Sequence, residues 1–469
     1  MSPFWKTVLC LTLFAAWRSQ VEFRSMTSRR PLDCAQRCPC SGESYLDHHH
    51  HDPYAYSHAQ APNAMLATAR RFAEAFPAGG DSVLGGDGKA SSQLRLAREV
   101  GVRAAAGRGS NFIVSPLSIH AALALVAAGA RGETRQELLG FLGSASIDEL
   151  HDAAWSGLVG KLNGLTQTSF ACGVWVDRGH ELQAEFMAAA ASRYAATAES
   201  VDFSSEAEKA RQRVNGFVED ATNGLVRDVL PPGSVDSTTV VVLANALYFK
   251  GTWAQPFDQS ATITAPFHTP DGSVVRVPFM TTGRFDFQRQ IAVYPGFRAL
   301  KLPYKIDDGD HAPPQAPFYM LILLPDGDSL ADLYDEAVAT PEFIRRHTPA
   351  YEVPVGRFMV PKFKFSFEFE ASEDMQKLGV TRAFVGGDFS AMVRGGDGLL
   401  ISGVHHKATI EVDELGTVAA AATAVVMLQS ASARPPVDFV ADRPFLFAIV
   451  EEKTSAVLFL GHVVNPASR

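Results

Sequence analysis

The sequence predicts one α+β domain preceded by an extension of different composition. Helical patterning fills the early part of the domain, strand-like apolar runs fill the later part, and the last two runs read as a hairpin. With 469 residues, 46% hydrophobic and 20% charged, the chain can bury a sizeable core.

The extension covers residues 1–90 and the domain residues 91–469. Lys6 precedes the apolar stretch Thr7 to Trp17, which has the length of a signal-peptide core and is too short to span a bilayer. Ala15 and Ala16 are followed by Trp17 and Arg18 rather than by an A-x-A-like site, so extracellular and cytoplasmic placements both stay open. From residue 21 onward Arg, Ser, Gly, Pro and His dominate, and apart from a helical-looking piece at Met65 to Phe76 this composition predicts disorder. Cys34, Cys38, Cys40 and His48 to His51 carry soft-metal ligand chemistry, but the C-x3-C-x-C spacing matches no closed tetrahedral site and no metal is expected. Gly85-Gly86-Asp87-Gly88-Lys89 is not a phosphate loop, because Val83 stands five before Gly88 and Ala90 follows Lys89.

Helical patterning in the domain begins at Leu94. Ser115 before Pro116 is a capping residue followed by a first-turn proline, and it opens an apolar helix running through Leu125 towards Gly129. A second helix is predicted over Thr134 to Leu142, ended by Gly143. Strands are predicted at Ser169 to Val176, Val240 to Phe249, Phe318 to Leu324, Arg357 to Phe367, Gly403 to Val412, Pro444 to Val450 and Ala456 to Val464. Several are apolar throughout, as burial on both faces requires.

The net charge of -9 argues against nucleic acid or an anionic membrane as partner, since phosphate binding needs a basic field. Cys172 is the only cysteine after residue 40, so the domain has no internal disulfide. It lies in the apolar run Phe170 to Val176, where a buried strand residue outweighs a nucleophile. No G-x-S-x-G or H-E-x-x-H occurs, and neither enzyme activity nor a cofactor is expected.

An ordered series of strings resembles the serpin family, above all its plant members. These are Asn111-Phe112-Ile113-Val114-Ser115-Pro116-Leu117-Ser118, the stretch Asn223-Gly224-Leu225 through Leu230-Pro231-Pro232-Gly233-Ser234-Val235, and Leu243-Ala244-Asn245-Ala246-Leu247-Tyr248-Phe249-Lys250-Gly251-Thr252-Trp253. Val360-Pro361-Lys362-Phe363-Lys364, His406-Lys407-Ala408, Glu414-Leu415-Gly416-Thr417 and Asp442-Arg443-Pro444-Phe445 complete it. The resemblance implies a monomeric serpin fold of three β-sheets and about nine helices, with an exposed reactive loop near the C-terminus. It also implies suicide inhibition of a serine or cysteine protease, with a non-inhibitory storage, carrier or binding serpin as the alternative.

Between Val412 and the Pro435-Pro436 stop runs Gly416-Thr417-Val418-Ala419-Ala420-Ala421-Ala422-Thr423-Ala424-Val425-Val426-Met427. In a strand, Thr417, Ala419, Ala421, Thr423 and Val425 would share one face and Val418, Ala420, Ala422 and Ala424 the other. None is charged and none is proline, so the segment is fit to become a central strand. Alanine richness equally suits a helix; the strand-rich flanks, Glu414 and Gly416 favour the loop. The resemblance makes Glu414, Gly416, Thr417, Ala419, Ala420, Ala421 and Ala422 the hinge, although Leu415 and Val418 stand where inhibitory members more often carry polar or acidic residues. It places the reactive bond at Ser430 and Ala431, with Gln429, Ala431 or the basic Arg434 as alternative cleavage residues. Ser115, Ser118, Asn245 and His406 match the polar cluster of the shutter beneath the sheet opening, and Trp253 the breach where the loop first enters. Taken singly, each could be an ordinary satisfied core residue.

Overall fold

The computed structural model describes residues 92–468, apart from 154–164, 166, 283–287, 307–316, 328–329, 341 and 418–434. Among the described residues are ten α-helices and three sheets, of ten, seven and two strands. The helical-looking piece at Met65 to Phe76 lies outside them.

The predicted long helix is α1, Pro116–Gly129. Its cap forms as the sequence requires: Ser115 stays extended and its Oγ accepts from the Ser118 N–H at 3.2 Å, with Pro116 in the first turn. All but one of its residues are buried, which explains an apolar pattern running all round the helix. The helix Gly132–Leu142 ends where Gly143 turns left-handed at φ 72°.

The central seven-stranded sheet contains β1 (Thr168–Asp177), β2 (Thr197–Val201), β3 (Val241–Phe249), β4 (Gly251–Thr252), β5 (Phe363–Glu370), β6 (Gly403–Val412) and β7 (Gly416–Thr417). β2 pairs with β1, β1 with β3, β3 with β6, and β5 lies along β6 for its whole length. Helix α2 (Phe203–Ala221) covers one face, packing Phe203, Val214 and Val218 over Trp175, Val242, Ala244 and Ala246. Helix α1 lies at the back, sharing its residues between two large apolar clusters. The ten-stranded sheet ends in the predicted hairpin, Phe445–Glu451 against Val457–Val463.

The run Arg357 to Phe367, read as one strand, is two. Glu352–Pro361 belongs to the ten-stranded sheet and β5 to the central one, and the chain changes sheet at Lys362, whose N–H binds the Pro278 carbonyl at 2.9 Å. Phe358–Pro361 are buried in succession before the crossing and β5 alternates buried and more exposed residues after it, a change the apolar run of the sequence does not reveal. Cys172 is a fully buried β1 residue.

Candidate functional site

The central sheet is only half closed between β3 and β6. These parallel strands pair from Gly403 with Val242 to Lys407 with Ala246. Above that level, among the described residues, Ala408–Val412 and Leu247–Phe249 have no mutual ladder. The top of the slot holds β7, antiparallel to both sides: Thr417 faces Val412 of β6, and Gly416 faces Thr252 of β4. The chain thus makes a reversal at residues 413–415 and starts down the slot before leaving the described residues.

Side chains from distant segments hold this reversal. The Asp413 carboxylate accepts from the N–H groups of Leu415 (2.9 Å) and Gly416 (3.1 Å), closing the turn on itself. Trp253 donates its ring N–H to the Asp413 carbonyl and its backbone N–H to the Leu415 carbonyl, both at 2.9 Å. Its ring stacks on Tyr304 at 4.6 Å, and the Tyr304 hydroxyl meets the Thr417 hydroxyl at 2.7 Å. Gly416 has a φ of 153°, and a Cβ there would lie 2.1 Å from the Gly251 carbonyl oxygen, so glycine is required by space as well as by conformation.

Glu414 is the charged member of this group. Its carboxylate is buried, bonded to Lys362 Nζ and to the Thr262 hydroxyl at 2.7 Å each. Burial pushes its pKa up, but the hydrogen bonds from Lys362 and Thr262, with the lysine's charge, outweigh that and hold it below the usual carboxylate range. The backbone N–H of Phe257 adds a third tie, to the Glu414 carbonyl at 2.8 Å.

At the lower end of the slot, where β3 and β6 are still paired, a neutral network joins both strands to α1. His406 on β6 and Asn245 on β3 are register partners. The Ser115 N–H donates to His406 Nε2 at 3.0 Å, which leaves Nδ1 to donate to Asn245 Oδ1 at 2.7 Å; Ser118 Oγ donates to the same oxygen at 2.6 Å. All four residues are buried, and burial lowers the His406 pKa to about 3, fixing it as a neutral imidazole. Asn245 Nδ2 is buried and has no partner among the described residues.

The structure therefore brings Ser115, Ser118, Asn245 and His406 into one cluster, and Trp253, Glu414, Gly416 and Thr417 into a second. Ala419, Ala420, Ala421, Ala422, Ser430 and Ala431 lie outside the described residues. Sequence reasoning missed Asp413, Lys362, Thr262 and Tyr304. Only Lys362 carried a signal, as the polar residue in the quoted string Val360 to Lys364. Burial pushes the Cys172 thiol up to about 12, which removes it as a thiolate nucleophile.

The profile of the family described as Serpin (serine protease inhibitor) matches residues 92–466. A rice protein named as serpin-Z12 is 70% identical over 384 residues, covering 80% of this chain and 90% of the rice protein. Rice serpin-ZXA is 45% identical over 80% of this chain and 96% of its own length. The solved structure of Arabidopsis AtSerpin1 in its native stressed conformation superposes with a TM-score of 0.73 at 37% identity, over 83% of this chain and 99% of that one. The fold with its half-closed central sheet is that of the serpins, a family that acts on target proteases, and this chain belongs to it. Its relatives named here are plant serpins of the Z type and AtSerpin1.

Proposed function

We propose that this chain is a suicide-substrate inhibitor of a serine or cysteine protease rather than an enzyme, working by cleavage and insertion of residues 416–430. The observation that carries the reading is the half-closed slot with β7 already seated at its top. Continuing the register of Thr417 with Val412 down β6 sets Ala419 opposite Ile410, Ala421 opposite Ala408, Thr423 opposite His406 and Val425 opposite Val404. Thr417 is buried with Val412, so these odd-numbered residues take the face towards α1. All are small or β-branched and uncharged. Each inserted residue would replace a parallel pairing, or none, by two antiparallel ladders, the more stable kind. Thr423 would reach the level of Asn245, where the unpartnered Nδ2 could find an acceptor.

About 14 residues at roughly 3.3 Å each would carry an acylated protease some 45 Å. A dozen new ladder bonds at about 1 kcal/mol net give on the order of 10 kcal/mol, comparable with the stability of a whole domain. Ser430-Ala431 serves as the reactive bond, suiting elastase-like or papain-like pockets, and residues 1–90 are an extension this mechanism does not use.

The test is to nick the loop and melt the product. A chain that gains a strand melts higher, by about 12 °C for 10 kcal/mol in a domain of this size, and sequencing the C-terminal fragment locates the bond. A nicked form melting at or below the intact one overturns the reading. The second reading, a carrier, is favoured by the match to thyroxine-binding globulin in complex with thyroxine, at 26% identity and a TM-score of 0.68. A carrier is cut by the protease without forming a complex that survives denaturant.

A further inference from the structure

We propose that Tyr351, with Val293 beside it, is a docking surface for the target protease, separate from the loop; this rests on the inhibitor reading above. Tyr351 is 78% exposed and Val293 59%, the two most exposed large apolar side chains of the segments flanking the loop's C-terminal anchor. Their place is set by register. The chain returns from residue 434 through Pro435 and Pro436 into Val437–Val440, which runs parallel to Glu352–Pro361 with Val437 beside Val355. The approach is close: a Cβ on Gly356 would meet Asp438 and lie 3.8 Å from Pro436. Tyr351 directly precedes that strand, at the end from which the loop arrives.

Val293 belongs to the neighbouring strand Gln288–Tyr294, which pairs with the same segment only up to Gln290 opposite Glu352. Among the described residues no strand pairs with Ile291–Tyr294 on that side, so Val293 and Tyr351 cap adjacent strand ends beside an open backbone edge.

The occupant follows from chain length. Pro435 is five residues beyond Ser430, at most about 17 Å of extended chain, whereas a protease of some 200 residues is about 40 Å across. A protease seated on the reactive bond must overhang the anchor and whatever flanks it. An exposed tyrosine beside an aliphatic side chain is the chemistry enriched where interfaces concentrate their binding energy.

The experiment compares wild type with Tyr351→Ala, Tyr351→Arg and Val293→Ser. The probe is whichever of a papain-like cysteine protease and an elastase-like serine protease the wild type traps faster. The expected result is a second-order rate of complex formation lowered about tenfold in Tyr351→Ala, lowered as much or more in Tyr351→Arg and less in Val293→Ser. The fraction of protein partitioned to complex and the melting temperature stay unchanged. Rates within about twofold of wild type in all three variants overturn the docking surface and leave the inhibitor reading intact. A shifted partition ratio also overturns it, since the substitution then acts through the loop. A wild type that traps neither protease overturns the inhibitor reading itself.

Discussion

The two polar clusters of the central sheet sit in the same slot and are built on opposite principles. The upper one is charged and tethers the chain reversal at residues 413–415: Glu414 is held by Lys362, and the surrounding carbonyls are held by Trp253 and Phe257. The lower one is neutral and bridges strands: Ser115, Ser118, Asn245 and His406 join β3, β6 and α1 with no net charge. A charge at the top costs little because Lys362 is one-third exposed and supplies the counter-ion. A charge at the bottom would have no such partner, so hydroxyl, amide and neutral imidazole do the holding. Neutral hydrogen bonds can also be exchanged one for another as a strand enters, which a buried ion pair does not allow cheaply.

The largest effect should come from adding a charge in the upper cluster away from Lys362, where no counter-ion meets it. Thr417 is 2% exposed, facing Tyr304 beneath the Trp253 stack. Thr417→Arg forces a guanidinium into that space with no carboxylate to meet it, and Ala419→Glu places a charge on the same inserting face. Under the proposed mechanism both should turn the protein from inhibitor into substrate, with loop cleavage retained and covalent complex lost on a denaturing gel. Undiminished complex would show that insertion does not pass through this slot.

The next effect lies at the lower cluster. His406→Ala leaves the Ser115 N–H unpaired and opens a cavity under the sheet, which should cost about 3 kcal/mol, read as a lower melting temperature. The neutral imidazole adds a pH signature. A histidine held at about 3 when folded and near 6.5 when unfolded makes the unfolded state take up more protons between those values, so stability falls as pH drops from about 6.5. His120 and His462, both lowered to about 4 by burial, contribute in the same sense. His406→Gln should therefore flatten, without abolishing, the fall in melting temperature between pH 6.5 and 4. An unaltered slope would mean that His406 is not buried as a neutral base.

The lower cluster was more legible in the sequence than the upper one. Ser115 and Pro116 announce a helix start through local chemistry, and Asn245 and His406 sit inside strings that resemble family motifs. The caps at Ser115 and Gly143, strands β1, β3 and β6 and the C-terminal hairpin were legible for the same reason, since each follows from neighbours in the chain, whereas β2 and β4 are too short or too polar to stand out and β5 was merged with the strand before it. Asp413, Thr262, Tyr304 and Lys362 became functional candidates only in three dimensions. Thr262 reaches Glu414 across 152 residues and Tyr304 reaches Thr417 across 113. No local periodicity encodes such contacts. Lys362 is the plainest case: it reads as one residue in a continuous strand, yet it is where the chain leaves one sheet for another, and that break turns its side chain to the hinge.

The smallest effect should separate the two clusters most cleanly. Glu414→Gln keeps the shape and an acceptor for Thr262 but removes the charge that pairs with Lys362, a loss of about 1 kcal/mol for a charge-assisted bond with one partly exposed partner. At pH 7 the variant should melt about 1 °C below wild type. The Glu414 carboxyl is held below its unfolded value of about 4.3, so its contribution is present above that pH and is lost as pH falls through the lower folded value. The gap between wild type and Glu414→Gln should therefore close on acidification from pH 5 towards 3, because the wild-type carboxyl becomes neutral like the amide. The histidine-driven fall is common to both proteins and cancels in the difference. Lys362→Met supplies the partner test: in that background Glu414→Gln should no longer lower the melting temperature at pH 7, since the carboxylate has lost the cation that favours its charge. A gap that persists unchanged from pH 7 to pH 3 would show that Glu414 holds the hinge by shape and hydrogen bonding alone, and the contrast between a charged upper cluster and a neutral lower one would not survive it.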